Sequence, residues 1–167
     1  MYNRMTQSDI RKMQEEIDHR KLIVRKAALE DVKEARAHGD LSENFEYKAA
    51  KQFKNKNESR IRYLERMIKT AVIIEDQKNV DEVGINSLVT VYFPDDDMEE
   101  TYKLVTTVRS NSIKGKISIE SPLGKALRGH KIHDKVSVVI NEETVYDVVI
   151  QRIDQSENDD QDEISKY

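Results

Sequence analysis

The chain has 167 residues, 36% of them charged and 37% hydrophobic, with no Cys, no Trp and only two Pro. This composition excludes a disulfide scaffold and a thiolate metal site. No stretch approaches the roughly 18 uncharged apolar residues of a membrane span, and residues 1–11 hold no apolar run of the secretory kind, so a soluble cytoplasmic protein is expected. The net charge of −4 hides a split: residues 1–73 carry 17 Lys+Arg against 12 Asp+Glu, and residues 74–167 carry 11 against 20. A basic half followed by an acidic half predicts two domains.

Residues 8–37 contain neither Pro nor Gly. Apolar or small residues recur at Ile10, Met13, Ile17, Val24, Ala27, Ala28, Val32 and Ala35. At about 100° per residue they form one helical stripe, interrupted by Arg20 and Asp31. Leu22, Ile23 and Leu29 lie off it. A second stripe, over about residues 43–73, consists of Ala50, Phe53, Asn57, Ile61, Leu64, Ile68 and Ala71. Two such stripes joined by a short turn predict an antiparallel coiled coil, with the polar Asn57 as a register-fixing residue. Helices of about 30 residues would be about 45 Å long, a shape suited to reaching into something rather than to enclosing a core.

The turn between them reads Ala37-His38-Gly39-Asp40-Leu41-Ser42-Glu43-Asn44. Gly39 suits the position just past a helix end. Asp40 followed three residues later by Glu43 reads as a capping box for the second helix. The other reading takes the same two carboxylates as hard oxygen ligands at the tip of a rod, suited to Mg²⁺ once a partner supplies further ligands. Lys48, Lys51, Lys54, Arg62, Arg66 and Lys69 lie on one side of the second helix, as a solvated face or as a phosphate-binding stripe. Lys48 and Lys51 stand nearest the tip.

From Gly84 onward the period changes to two. Strands are expected over residues 88–93, 101–108 and 113–119, with a polar turn at Asp95-Asp96-Asp97. Ser121 caps a short helix with Pro122 at its first position, and Gly129 ends it. Residues 136–140 and 144–153 pair as a hairpin. The pattern predicts an α+β protein: a helical hairpin over residues 1–75, an antiparallel sheet with a short helix over 76–154, and an acidic, disordered tail over 155–167. His130 and His133 lack a third ligand, and no Gly-rich phosphate loop or nucleophile elbow is present, so no complete enzyme site is legible.

Residues 34–51, EARAHGDLSENFEYKAAK, resemble the tip motif of the bacterial Gre transcript cleavage factors (GreA/GreB). Residues 115–127, GKISIESPLGKAL, resemble the C-terminal signature of the same family. The resemblance implies a coiled-coil domain followed by an FKBP-like domain. It implies a monomeric accessory factor, not itself an enzyme, that binds RNA polymerase and inserts the coiled coil into its secondary channel. At the tip, Asp40 and Glu43 share Mg²⁺ with the polymerase and position a water, so that the polymerase cleaves the RNA 3′ end of a backtracked complex; the factor needs no cofactor of its own. By the same resemblance Ser42, Asn44 and Tyr47 support the tip, and Glu120, Ser121 and Pro122 meet the channel rim; Lys48 and Lys51 are the candidates for RNA phosphates on their charge and nearness to the tip alone. The alternatives are a related channel-occupying regulator that does not promote cleavage, and a prolyl isomerase, for which the aromatic content of the second half, with Phe93 its single Phe, is poor.

The chain departs from the family pattern at Asp9, where Gly is usual, and at Lys51-Gln52-Phe53, which replaces a more acidic stretch. Arg109-Ser110-Asn111 replaces an acidic loop, His133 replaces a Gly before Asp134, and a Gly expected in the last hairpin is absent.

Overall fold

The computed structural model describes residues 4–39, 44–75, 79–155 and 158–166. The chain forms two units: residues 10–71 make one, and the flanking stretches, up to Asp9 and from Val72 onward, make the other.

In the first unit α1 (Gln7–His19), which begins in the flanking stretch, a π-helical turn (Arg20–Val24) and α2 (Arg25–Ala37) run on without a break. α3 (Phe45–Lys69) packs against α2 and the π turn. Met13, Ile17, Ala28, Ala35, Ile61 and Leu64 are buried, as the stripes predict. Two stripe positions are corrected, for Ala27 is exposed and Phe53 more than half exposed. The face that α2 buries is built from the small side chains Ala28 and Ala35, and Phe53 is carried at the margin of the seam.

Asn57 does link the two helices. Its Nδ2 donates to the Arg20 carbonyl at 3.4 Å, and Arg20 Nη1 donates to its Oδ1 at 3.0 Å. The same carbonyl accepts from the Arg25 amide, five residues on, which is the π-helical bond. Glu16 ties the network off, accepting from Arg20 Nε at 2.8 Å and Arg60 Nε at 2.7 Å. Burial raises the Glu16 pKa, but the bonds from Arg60 and Arg20 outweigh it and hold the carboxyl below its ordinary value. Arg25 grips Glu58 with two parallel bonds of 2.7 and 2.9 Å.

The second helix stops at Lys69, short of the expected residue 73. The β-branched run Val72-Ile73-Ile74 favours extended backbone. Val72–Ile73 forms β2, parallel to β1 (Arg4–Met5), with Arg4 opposite Val72 and Met5 opposite Ile73.

The rest of this unit is a five-stranded sheet in the order β5-β4-β3-β7-β6. Its strands are β3 (Leu88–Phe93), β4 (Met98–Val105), β5 (Lys116–Ser118), β6 (Lys135–Val139) and β7 (Val145–Asp154). The sheet is mixed, which corrects the antiparallel expectation: β5 runs parallel to β4, because two 3₁₀ turns, Thr107–Arg109 and Ser112–Lys114, bring the chain back in the same direction. Alternating residues face the core, Val89 and Val91 from β3, Val136 and Val138 from β6, Val148 and Ile150 from β7. α4 (Pro122–Leu127) begins as the sequence predicts: Ser121 Oγ accepts from the Gly124 amide at 3.1 Å, and Pro122 follows. A Cβ on Gly124 would stand 2.0 Å from the Ser118 carbonyl oxygen, so only glycine fits there. His133 sits at φ 72°, a left-handed backbone that glycine adopts without strain.

Residues 158–166 do not match the expected disordered tail. Asp162 is buried and accepts from Arg109 Nη1 at 2.8 Å and Lys116 Nζ at 2.7 Å, with Lys103 Nζ 3.0 Å away. Lys103 Nζ also donates to the Asn158 carbonyl, and the Ser165 amide to Val108 O at 2.7 Å. Arg109 is fully buried and donates from Nε to Asp9 Oδ1 at 2.6 Å. The other Asp9 oxygen accepts from the Thr6 amide and from Thr106 Oγ1, and the Asp9 amide donates back to Thr6 Oγ1. Thr6 and Asp9 are thus a capping box at the start of α1.

Candidate functional site

The candidate site is the end of the helical hairpin where α2 stops and α3 starts. α2 ends at Ala37 with His38 as its cap, and Gly39 follows at φ 126°, in the conformational range that glycine alone enters readily. Asp40, Ser42 and Glu43 lie outside the described residues. α3 begins at Phe45, four residues later than a cap at Asp40 implies, and its cap is Asn44. The Asn44 Oδ1 accepts from the Tyr47 amide at 3.0 Å, and its Nδ2 donates to the Ala35 carbonyl at 2.5 Å. One side chain therefore ties both helix ends: it satisfies an amide of α3 that the helix leaves open, and it adds a second donor to the Ala35 carbonyl, which also accepts from the His38 amide at 3.2 Å. The cap expected of Asp40 is supplied by Asn44.

Tyr47 is half-buried beside this staple. Arg36 Nη2 donates to its hydroxyl at 3.3 Å, and the Arg36 guanidinium lies 5.5 Å from the ring centroid. The hydrogen bond from Arg36 lowers the Tyr47 pKa. His38 Nδ1 and Glu46 Oε2 are 3.0 Å apart, and that contact raises the His38 pKa. Lys48 and Lys51 are exposed one and two turns along α3, as their place on the helical wheel predicts. Phe45 went unremarked in the sequence, although its position as the first helical residue after Asn44 could have drawn attention to it. It is 78% exposed, and the Lys48 ammonium stands 5.5 Å from its ring centroid. Neither the Arg36–Tyr47 nor the His38–Glu46 contact has a signal in the spacing. Among the described residues no group of three or more His, Cys, Asp or Glu is arranged to hold a metal ion.

The second set of predicted residues belongs to the sheet unit. Glu120 is half-buried and faces Arg4 at 3.8 Å, Ser121 is the α4 cap, and Pro122 is exposed. Ser121 also donates to the Ser118 carbonyl at 2.6 Å. It borders a groove of about 570 Å³ whose walls include Lys114, Lys116 and Ser118 on one side and Glu163 to Lys166 on the other. No described helix is long and apolar enough to cross a membrane.

Two family models match the chain. One, described as Transcription elongation factor, N-terminal, matches residues 3–73, and the other, Transcription elongation factor, GreA/GreB, C-term, matches residues 77–155. The chain is 44% identical over 135 residues to the transcription elongation factor GreA of Geobacillus kaustophilus, covering 80% of this chain and 85% of that one. To the protein of the same name from Bacillus subtilis it is 42% identical over 135 residues, with the same coverage. Among solved structures, GreA factor homolog 1 (Gfh1) of Thermus thermophilus matches with a TM-score of 0.42 and 25% identity, covering 92% of this chain and 99% of that one.

Proposed function

The chain belongs to the GreA/GreB family of transcription elongation factors, and on that premise we propose that it stimulates transcript cleavage by RNA polymerase. In this reading the sheet unit docks on the rim of the polymerase secondary channel through Glu120, Ser121 and Pro122. The helical hairpin enters the channel and brings Asp40 and Glu43 to the RNA 3′ end of a backtracked complex.

The observation that carries the reading is the cap of α3. A carboxylate pair spaced as Asp40 and Glu43 has an ordinary explanation as a helix cap, and Asn44 already does that work. The pair is then left for chemistry. Two carboxylates are hard oxygen donors of the kind Mg²⁺ takes, too few to hold it alone, so the ion would be shared with ligands of the polymerase. A Mg²⁺ held there supplies charge neutralisation and an activated water for phosphodiester hydrolysis. Within the chain, Asn44 fixes the two helix ends that flank residues 40–43, the Arg36–Tyr47 contact braces the same end, and Lys48 and Lys51 balance RNA phosphates. The protein acts as an accessory to the catalytic centre of its partner, at work as a monomer in the cytoplasm.

A stalled, backtracked polymerase complex carrying labelled RNA tests this. Addition of the protein with Mg²⁺ is expected to shorten the RNA, and the Asp40→Asn/Glu43→Gln double variant is expected to bind the complex without shortening it. Equal cleavage by both proteins overturns the assignment of the pair. Binding that blocks nucleotide addition, with no shortening by either protein, would instead identify a channel-occupying regulator.

A further inference from the structure

Phe45 contributes little to the hairpin. With 78% of it exposed, more than Phe53 at 54%, it buries almost none of the surface that makes an aromatic residue useful to a fold. It is nevertheless held in place. It follows the residue that staples α2 to α3, and it stands on the first turn of a 25-residue helix. Lys48, on the next turn, sets its ammonium 5.5 Å from the ring centroid. Lys51 continues the positive charge along the same helix. A solvent-facing aromatic ring on an anchored helix start, with cations beside it, is the arrangement that single-stranded nucleic acid uses, with a base stacking on the ring and phosphates meeting the lysines.

We infer that Phe45 is a stacking platform for a nucleobase at the extruded 3′ end of the RNA, and so a positioning residue for the cleavage reaction. The inference rests on the proposed placement of the hairpin tip at the RNA 3′ end. Lys48 occupies one face of the ring, and the exposure of Phe45 leaves surface for a planar base. Stacking there would hold the strand at the start of α3, two residues after Glu43 in the sequence, without reading its bases, since every base has a π face. Stronger-stacking bases are held better, so purines at the 3′ end are cleaved faster than pyrimidines.

The test uses the full chain in a backtracked polymerase complex whose 3′-terminal base is 2-aminopurine, a fluorophore quenched by stacking. It is run in the non-cleaving Asp40→Asn/Glu43→Gln background, so that the RNA survives the measurement. The expected result is quenching on addition of the protein, lost with Phe45→Ala and Phe45→Leu and kept with Phe45→Tyr. In the cleaving background, Phe45→Ala is expected to slow cleavage about tenfold at limiting protein and to level the purine–pyrimidine difference, as loss of one stacking contact would. Circular dichroism checks that the helices are intact. Quenching that is absent with Phe45, or indifferent to its replacement, overturns the inference; so does a Phe45→Ala variant that only weakens polymerase binding. If the wild-type protein fails to cleave, the function reading fails, while Phe45-dependent quenching still supports the platform.

Discussion

Arg109 has no access to water, and burying its guanidinium is costly unless carboxylates meet it. Asp9 and Asp162 do, at 2.6 and 2.8 Å. Asp9 and Arg109 are thus a single feature: each charge is tolerable because the other is present. Burial by itself raises the Asp162 pKa, but the bonds from Lys116, Lys103 and Arg109 outweigh it and hold the carboxyl at about 2, against an ordinary value of 3.8. A depressed carboxyl stabilises the folded state above its unfolded value, and that stability is lost as the pH falls through the folded value. At pH 7 Asp162 is therefore expected to contribute about 2 kcal/mol. Urea unfolding of the wild type and of Asp162→Asn should differ by at least that amount at pH 7, with the gap closing between pH 4 and pH 2. A pH-independent difference would remove the ion cluster as its cause. The sequence concealed this because composition averages over a segment. Few apolar residues read as disorder, whereas one aspartate held by three cations decides where residues 158–166 go.

Among the elements, the helices were the most legible, since a 3.6-residue stripe needs no partner to be recognised. The Ser121 cap and the last hairpin were legible for the same local reasons. The pairing direction of β5 was not, because a period of two says which face is buried and nothing about which way the neighbour runs. Nor was the π turn, whose five residues, Arg20 to Val24, carry no compositional mark. In the structure its Arg20 carbonyl is shared by Asn57 and Arg25. At the tip the sequence pointed to Asp40 as the cap, whereas the cap of α3 is Asn44. Asn44→Ala removes a cap acceptor, at a cost of about 1 kcal/mol, and also removes one of the two donors to the Ala35 carbonyl. Asn44→Asp keeps the acceptor for the Tyr47 amide and loses only the donor. Hydrogen exchange at the Tyr47 amide should accelerate in the alanine variant and stay close to wild type in the aspartate variant. Equal protection in all three would show that the side chain does not cap α3.

For the whole molecule the charge split follows the division of labour. The basic first half holds the hairpin proposed to meet RNA, and the acidic second half holds the sheet unit. How far the tip extends is set by the number of helical residues, at about 1.5 Å each. Removing seven residues from each arm should therefore shorten the hairpin by about 10 Å. Such a variant is expected to bind polymerase through the sheet unit and fail to cleave. Cleavage at the wild-type rate would mean that extension into the channel is not what the hairpin provides.

The hairpin also leaves the sheet unit after Asp9 and returns to it at Val72, just where β1 and β2 lie side by side. In the gene this makes residues 10–71 a cassette. An in-frame recombination at its two borders could replace the hairpin in one event, and the lineage would keep the other unit, with its sheet and ion cluster, while it tried another tip.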